Sequence, residues 1–342
     1  MTTSGTSTPA VDDPVPGGER ALEVGALLAA AAGGDRRSLA RLLSAAERGG
    51  ADGRAAAALA YRSGAEADTV GITGAPGSGK STLVDRLIAV ARAGGVGQLA
   101  VLAVDPTSPF SGGAILGDRV RMQGHDLDPG VFIRSMASRG HLGGLAVAVP
   151  EAIRLFAAAG MPLVLVETVG VGQVEVEVAS ATDTTVVVVN PRWGDSIQAN
   201  KAGLLETGDI FVVNKADMPG AAQSRRDLEQ MLDLSTPGDW RPPIVETVAA
   251  TGQGVDTLWN EIVGHRAYLD EGGLLGPSRQ ERRHREFELV LRARIEIEID
   301  RLSTLPRFAE LSGAVRDGGL DPYAAAEQLL SHVGEELPSD TV

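Results

Sequence analysis

The chain has 342 residues, 43% of them hydrophobic, enough for a sizeable core and for one large domain with attachments or for two domains. A formal net charge of -14, with an isoelectric point near 4.9, argues against nucleic acid and anionic lipid as partners, since both draw on Lys and Arg. The absence of cysteine excludes disulfides, thiolate metal sites and a Cys nucleophile, and none of His125, His141, His265, His284 and His332 lies three or four residues from another, so no helical metal pair exists.

Residues 1–19 are rich in Thr, Ser, Pro, Gly and Asp and read as a disordered tail. They lack the basic start and apolar stretch of a signal peptide. Ala26 to Ala32 is apolar but too short to span a bilayer, so no membrane association and a cytoplasmic location are expected. Residues 20–66 read as a small helical region packed on the next domain. Asp35 is a helix N-cap there, Leu39, Leu42, Leu43 and Ala46 recur at helical spacing, and Gly49-Gly50 ends the helix.

Over 67–272 the pattern becomes an alternation of strands and helices. Apolar strands are expected at Thr69 to Thr73, Leu99 to Val104, Leu163 to Val166, Thr185 to Val189, Ile210 to Val213 and Ile244 to Thr247. Such runs, separated by helix-length segments, imply an α/β fold with a mostly parallel sheet covered on both faces. Ligands of these sheets sit beyond the carboxyl ends of the strands, where Asp105, Glu167, Asn190 and Asn214 all fall.

After residue 273 the alternation stops. Gly272-Gly273 to Pro277-Ser278 reads as a linker. Residues 279–303 place Phe287, Leu291, Ile295, Ile299 and Leu302 near helical spacing, although Ile295, Ile297 and Ile299 also alternate as in a strand. The length of the stretch and its lack of Gly and Pro favour a helix. The segment 273–342 has little room for a core of its own and is expected to pack on another surface, such as a second copy.

Two segments carry the clearest chemistry. Gly74-Ala75-Pro76-Gly77-Ser78-Gly79-Lys80-Ser81 fits GxxxxGK[ST] between a strand and the helical stretch that starts at Thr82. Its backbone N–H groups and the helix N-terminus suit phosphates, with Lys80 reaching the β- and γ-phosphates and the Ser81 hydroxyl on Mg2+. Asn214-Lys215-Ala216-Asp217 suits a guanine base, because a carboxylate can accept from N1–H and the 2-amino group together, and adenine lacks both donors. Ala249-Ala250-Thr251 would offer a backbone N–H to the guanine O6. The pair of segments therefore points to GTP and GDP.

Asp105, Glu167 and Asp118 are carboxylates that would ligate Mg2+ or position the attacking water, with the division of roles open. Gly170 would bring a backbone N–H to the γ-phosphate and make 170–174 a nucleotide switch, and a plain flexible turn fits the spacing equally well.

Longer segments add a resemblance. Ala103 to Gly113, Gly117-Asp118-Arg119-Val120-Arg121-Met122, Arg134 to Gly144, Glu167 to Gln173 and Gly34 to Arg41 resemble the MeaB/ArgK-type, methylmalonyl-CoA mutase-associated GTPases, over roughly 35–270. The resemblance implies a P-loop NTPase fold with an N-terminal helical extension and a C-terminal helical dimerisation arm. It implies slow, Mg2+-dependent GTP hydrolysis, with Lys80, Asp105, Glu167 and Gly170 in the catalytic constellation and Ser81, Asp105, Asp118 and Glu167 on the metal side.

It further implies a homodimer that serves an adenosylcobalamin-dependent acyl-CoA mutase, methylmalonyl-CoA mutase by default, in cofactor loading, protection and reactivation. Gly172, Gln173, Asp195, Gln198 and Lys201 would signal to that partner. The chain departs from the family at Gln198-Ala199-Asn200-Lys201-Ala202-Gly203, where members usually read Gln-Gly-Ile-Lys-Lys-Gly. Rival readings are a metal-insertion GTPase, disfavoured by the lack of Cys and His clusters, a transport-protein kinase, disfavoured by Asp217, and a nucleotide-binding scaffold without turnover.

Overall fold

The computed structural model describes residues 18–106, 123–125, 127–138, 144–168, 180–191, 207–234 and 239–336. The expected tail over 1–19 lies almost wholly outside them. Two compact units divide the chain, residues 1–284 and 285–342.

The first unit opens with three helices, α1 (Gly18–Ala32), α2 (Arg36–Arg48) and α3 (Gly50–Arg62). Asp35 caps α2 as expected: its carboxylate accepts from the N–H groups of Arg37 and Ser38, both at 3.2 Å, and from the Ser38 hydroxyl at 2.5 Å. The Ser38 hydroxyl and those N–H groups hold its pKa below the usual carboxylate value. Gly49, at φ 70°, closes α2 and lets α3 begin at once. Leu39, Leu42, Leu43 and Ala46 form the buried stripe of α2.

A seven-stranded sheet follows, built from β1 (Asp68–Gly74), β2 (Leu99–Pro106), β3 (Val131–Ser138), β4 (Leu163–Thr168), β5 (Thr184–Val189), β6 (Ile210–Asn214) and β7 (Ile244–Thr247). The order is β3-β2-β4-β1-β5-β6-β7 and every pairing is parallel. β1 is central, so the loop that follows it opens in the middle of the carboxyl edge. The edge strand β3 was not among the expected strands.

Side chains alternate strictly between the two faces. Ile72, Val101, Leu165, Val188 and Val212 pack with Leu83, Leu87 and Ile88 of α4 (Lys80–Ala93) and with Leu258 and Ile262 of α7 (Val255–Glu271). Leu102, Val104, Val164 and Val166 pack oppositely, with Leu155 and Phe156 of α5 (Gly144–Ala158) and with the α2 stripe. Val187, Val189, Phe211 and Val213 meet Leu228 of α6 (Ala221–Leu234). Both faces are covered, which is why these strands read as unbroken apolar runs. Each fully buried Leu or Ile contributes about 1.5–3 kcal/mol, so the sheet is a rigid platform for its edge.

The opposite, amino edge of the sheet carries a buried ionic cluster. Asp183, just before β5, is only 2% exposed in its side chain. Its carboxylate accepts from Thr69 N and Thr69 Oγ1, both at 3.0 Å, and from Arg279 Nη2 at 2.8 Å, and it also pairs with Arg282. Burial alone would raise its pKa, but the Arg279 bonds and the Arg282 charge prevail and hold it at about 2. Arg279 also reaches Glu66 at 2.6 Å and Asp68 at 3.2 Å. Beside this cluster, burial pushes Asp209 up to about 6, against the Thr185 N–H bond, and pushes His265 down to about 4. Trp240 lies on the His265 ring, 4.7 Å between centroids, and donates to the Asp209 carbonyl at 2.9 Å.

Arg279 and Arg282 belong to α8 (Leu275–Ser303), which is helical throughout and so settles the ambiguity over 279–303. The expected linker shrinks to Gly272-Gly273-Leu274, because Gly276-Pro277 falls in the first turn of α8, where proline's missing N–H costs no hydrogen bond. In the second unit α9 (Pro306–Arg316) and α10 (Pro322–Glu336) pack together, with Leu302, Leu311 and Ala325 buried. Phe287, Leu291, Ile295 and Ile299 of α8 are about half exposed or more. Among the described residues no helix is long and apolar enough to cross a membrane.

Candidate nucleotide site

The carboxyl end of β1 runs into the loop Gly74 to Gly79, and Lys80 begins α4. Two glycines are required by geometry. Gly74, at φ 136°, would place a Cβ against the Val188 carbonyl, and Gly79, at φ 94°, would place one against the Asn214 amide. Lys80 is 6% exposed, and its ammonium donates to Gly74 O at 2.7 Å and Ala75 O at 3.1 Å. It therefore folds back on the start of its own loop. Ala75, Pro76 and Gly77 form the partly or fully exposed outer turn, and Ser78 is wholly buried. Thr82 follows on the exposed side of α4.

Ser81 lies in the first turn of α4 and donates to Glu167 Oε1 at 2.5 Å. Glu167, 1% exposed at the end of β4, thus reaches the loop across the β1–β4 pairing. Beneath it, Thr168 donates to Thr73 at 3.2 Å, both side chains fully buried. Asp105 closes β2 opposite Ala137, at the same edge. Asp118, Gly170, Gly172, Gln173, Asp195, Gln198 and Lys201 lie outside the described residues.

The guanine-reading segment follows β6 on the other side of the loop. Asn214 is buried and is the link between three loops: its amide donates to Ser78 O at 2.7 Å, and its carbonyl accepts from Thr247 Oγ1 at 3.0 Å and Ala249 N at 3.1 Å. Lys215 has φ 58°, the one positive φ at a non-glycine among the described residues, and its ammonium donates to Gly77 O at 2.8 Å. A non-glycine held there costs of order 1 kcal/mol and persists where its surroundings impose it. Asp217 is exposed, and its carboxylate has no hydrogen-bond partner among the described residues. Thr251 donates to Val248 O at 3.1 Å and closes the loop after β7.

The sequence reading did not foresee the roles of Thr247 in holding Asn214, of the strained Lys215 backbone, or of Arg86, which donates from α4 to Ala249 O at 3.3 Å and Ala250 O at 3.2 Å.

A central β1, a glycine loop locked by positive φ and a helix-starting lysine define a P-loop α/β nucleotide-binding protein. A family model described as methylmalonyl Co-A mutase-associated GTPase MeaB matches residues 39–301. A protein from Pyrococcus horikoshii that carries a GTPase name is 45% identical over 304 residues, 88% of this chain and 95% of its own length. GTPase ArgK of Escherichia coli is 34% identical over 271 residues, 76% of this chain and 80% of its own. The mitochondrial methylmalonic aciduria type A homolog of Mus musculus is 32% identical over 270 residues, 76% of this chain and 64% of its own. A crystal structure of a LAO/AO transport system kinase superposes with a TM-score of 0.65 at 25% identity, covering 92% of this chain and 98% of that one. The chain belongs to the MeaB family of GTPases, as the resemblance implied.

Proposed function

We propose that this protein hydrolyses GTP to GDP and phosphate and uses the nucleotide state to guard an adenosylcobalamin-dependent acyl-CoA mutase in the cytoplasm. The observation that carries the reading is the convergence on Asn214: one buried side chain joins the phosphate loop at Ser78 to the base-reading loops at Thr247 and Ala249. Phosphates and base are thereby read by one connected structure. Gly74 to Thr82 would hold the phosphates through backbone N–H groups and Lys80, and Asp217 with Ala249 to Thr251 would select guanine.

The Ser81 hydroxyl and the Glu167 carboxylate, oxygen donors in contact at the loop, suit a hard cation that keeps several waters. With Asp105 and Asp118 they would hold Mg2+, which when bound neutralises charge on the phosphates. Glu167 is fixed by the rigid β4 and needs no rearrangement of the strand to serve the site. Gly170, Gly172 and Gln173, then Asp195, Gln198 and Lys201, would carry the nucleotide state to the mutase. The half-exposed apolar side chains of α8 support a homodimer through the C-terminal unit.

The test is reconstitution with methylmalonyl-CoA mutase. Immobilised protein should retain the mutase differently with GDP than with a non-hydrolysable GTP analogue, and GTP should restore turnover to mutase carrying inactivated cobalamin. Equal retention together with no restoration would sink the guardian role. Light scattering on the same preparation should give the mass of two chains, and the mass of one would remove the dimer.

A further inference from the structure

We propose that Arg86 is a positioning residue for base recognition, a role that rests on the guanine reading of the loop after β7. Arg86 lies on α4, whose start is the phosphate loop, with its side chain largely exposed. Its Nε donates to Ala249 O at 3.3 Å and its Nη2 to Ala250 O at 3.2 Å. Among the described residues no carboxylate pairs with it, and its hydrogen bonds run to two successive carbonyls of one loop.

The consequence follows from the planar trans peptide. The carbonyl of Ala249 and the N–H of Ala250 belong to one rigid unit and point in opposite directions. Holding that carbonyl toward α4 turns the Ala250 N–H away from α4. The neighbouring N–H groups are engaged: Ala249 N donates to Asn214 Oδ1 at 3.1 Å, and Thr251 N to Val248 O at 3.0 Å. Ala250 is exposed, and its N–H has no partner among the described residues. Arg86 thus aims a free donor from the loop after β7, and an aimed donor is what the O6 of guanine requires. The same guanidinium couples base to phosphate, because it stands on the helix that the phosphate loop begins.

The experiment is calorimetric titration of the full chain and of its Arg86→Gln and Arg86→Lys variants with GDP and with 6-thio-GDP. Sulfur at position 6 is a weak acceptor, while N1–H and the 2-amino group are retained. The unaltered chain should prefer GDP by about tenfold, the worth of one net hydrogen bond. In Arg86→Gln that preference should fall below about threefold, mainly through weaker GDP binding, and Arg86→Lys, which can reach one carbonyl, should be intermediate. The ratio of two dissociation constants on one preparation is insensitive to misfolded protein. A preference unchanged in Arg86→Gln would overturn the role of Arg86. No preference in the unaltered chain would overturn the base-reading loop itself, and the inference with it.

Discussion

Lys80→Ala is expected to weaken GTP and GDP binding by about a thousandfold, the scale of losing one desolvated charge-assisted contact to a polyphosphate. The Lys80 ammonium is already taken out of water and held by two carbonyls of the loop. Little side-chain freedom remains to be lost when phosphate replaces those carbonyls as its partner. Alanine removes the cation and leaves Gly74 O and Ala75 O facing a polyanion. Fluorescent GDP displacement measures the effect, and circular dichroism should show an intact fold, because the loop backbone is set by Gly74 and Gly79 rather than by Lys80. A dissociation constant within tenfold of the unaltered chain would end the phosphate role of this lysine.

Asp183→Asn is expected to cost about 3 kcal/mol of stability, since removing one partner of a buried ion pair leaves the other charged and desolvated. Asn keeps the shape and the bonds from Thr69, so the loss isolates the charge. Arg279 retains Glu66 and Asp68, whereas among the described residues Arg282 has Asp183 as its ion-pair partner. Urea unfolding checks the magnitude, and an unchanged midpoint would show that the cluster contributes nothing net. The pH dependence has a definite sign. The folded pKa is depressed to about 2, so the stabilisation is complete above the unfolded value near 4 and is lost as pH falls through about 2. Between pH 4 and pH 2 the unaltered protein should lose stability more steeply than Asp183→Asn.

The site was legible where its chemistry is local. Gly74 to Ser81 and Asn214 to Asp217 are contiguous segments whose residue types are dictated by backbone geometry and by one ligand each. Covered parallel strands announce themselves as apolar runs, which is why β1, β2 and β4 to β7 are legible in the sequence. β3 escaped because it is an edge strand with one neighbour, and its middle carries Arg134, which reaches out to Ser44 at 3.1 Å and Glu47 at 2.6 Å on α2. Its apolar run is only Val131-Phe132-Ile133.

What stayed hidden is non-local. Asp183 meets Arg279 across 96 positions, and Arg86 meets Ala249 across 163. No periodicity links residues so far apart. The charged start of α8 has no apolar periodicity to mark it as packed, yet the side chains of Arg279 and Arg282 are only 12% and 14% exposed. The length of helix 279–303 was readable because a sustained run without Gly or Pro outweighs a three-residue alternation at Ile295, Ile297 and Ile299.

The most direct test of the central claim is nucleotide choice. Asp217 can accept from guanine N1–H and the 2-amino group together, and adenine would leave it unpaired. Titration of the intact protein with GDP and ADP, side by side at equal Mg2+, should give GDP the tighter binding by about a thousandfold or more, and Asp217→Ala should remove most of that gap while ADP affinity stays level. Equal affinity for GDP and ADP in the unaltered chain would contradict the assignment of this site to guanine nucleotides.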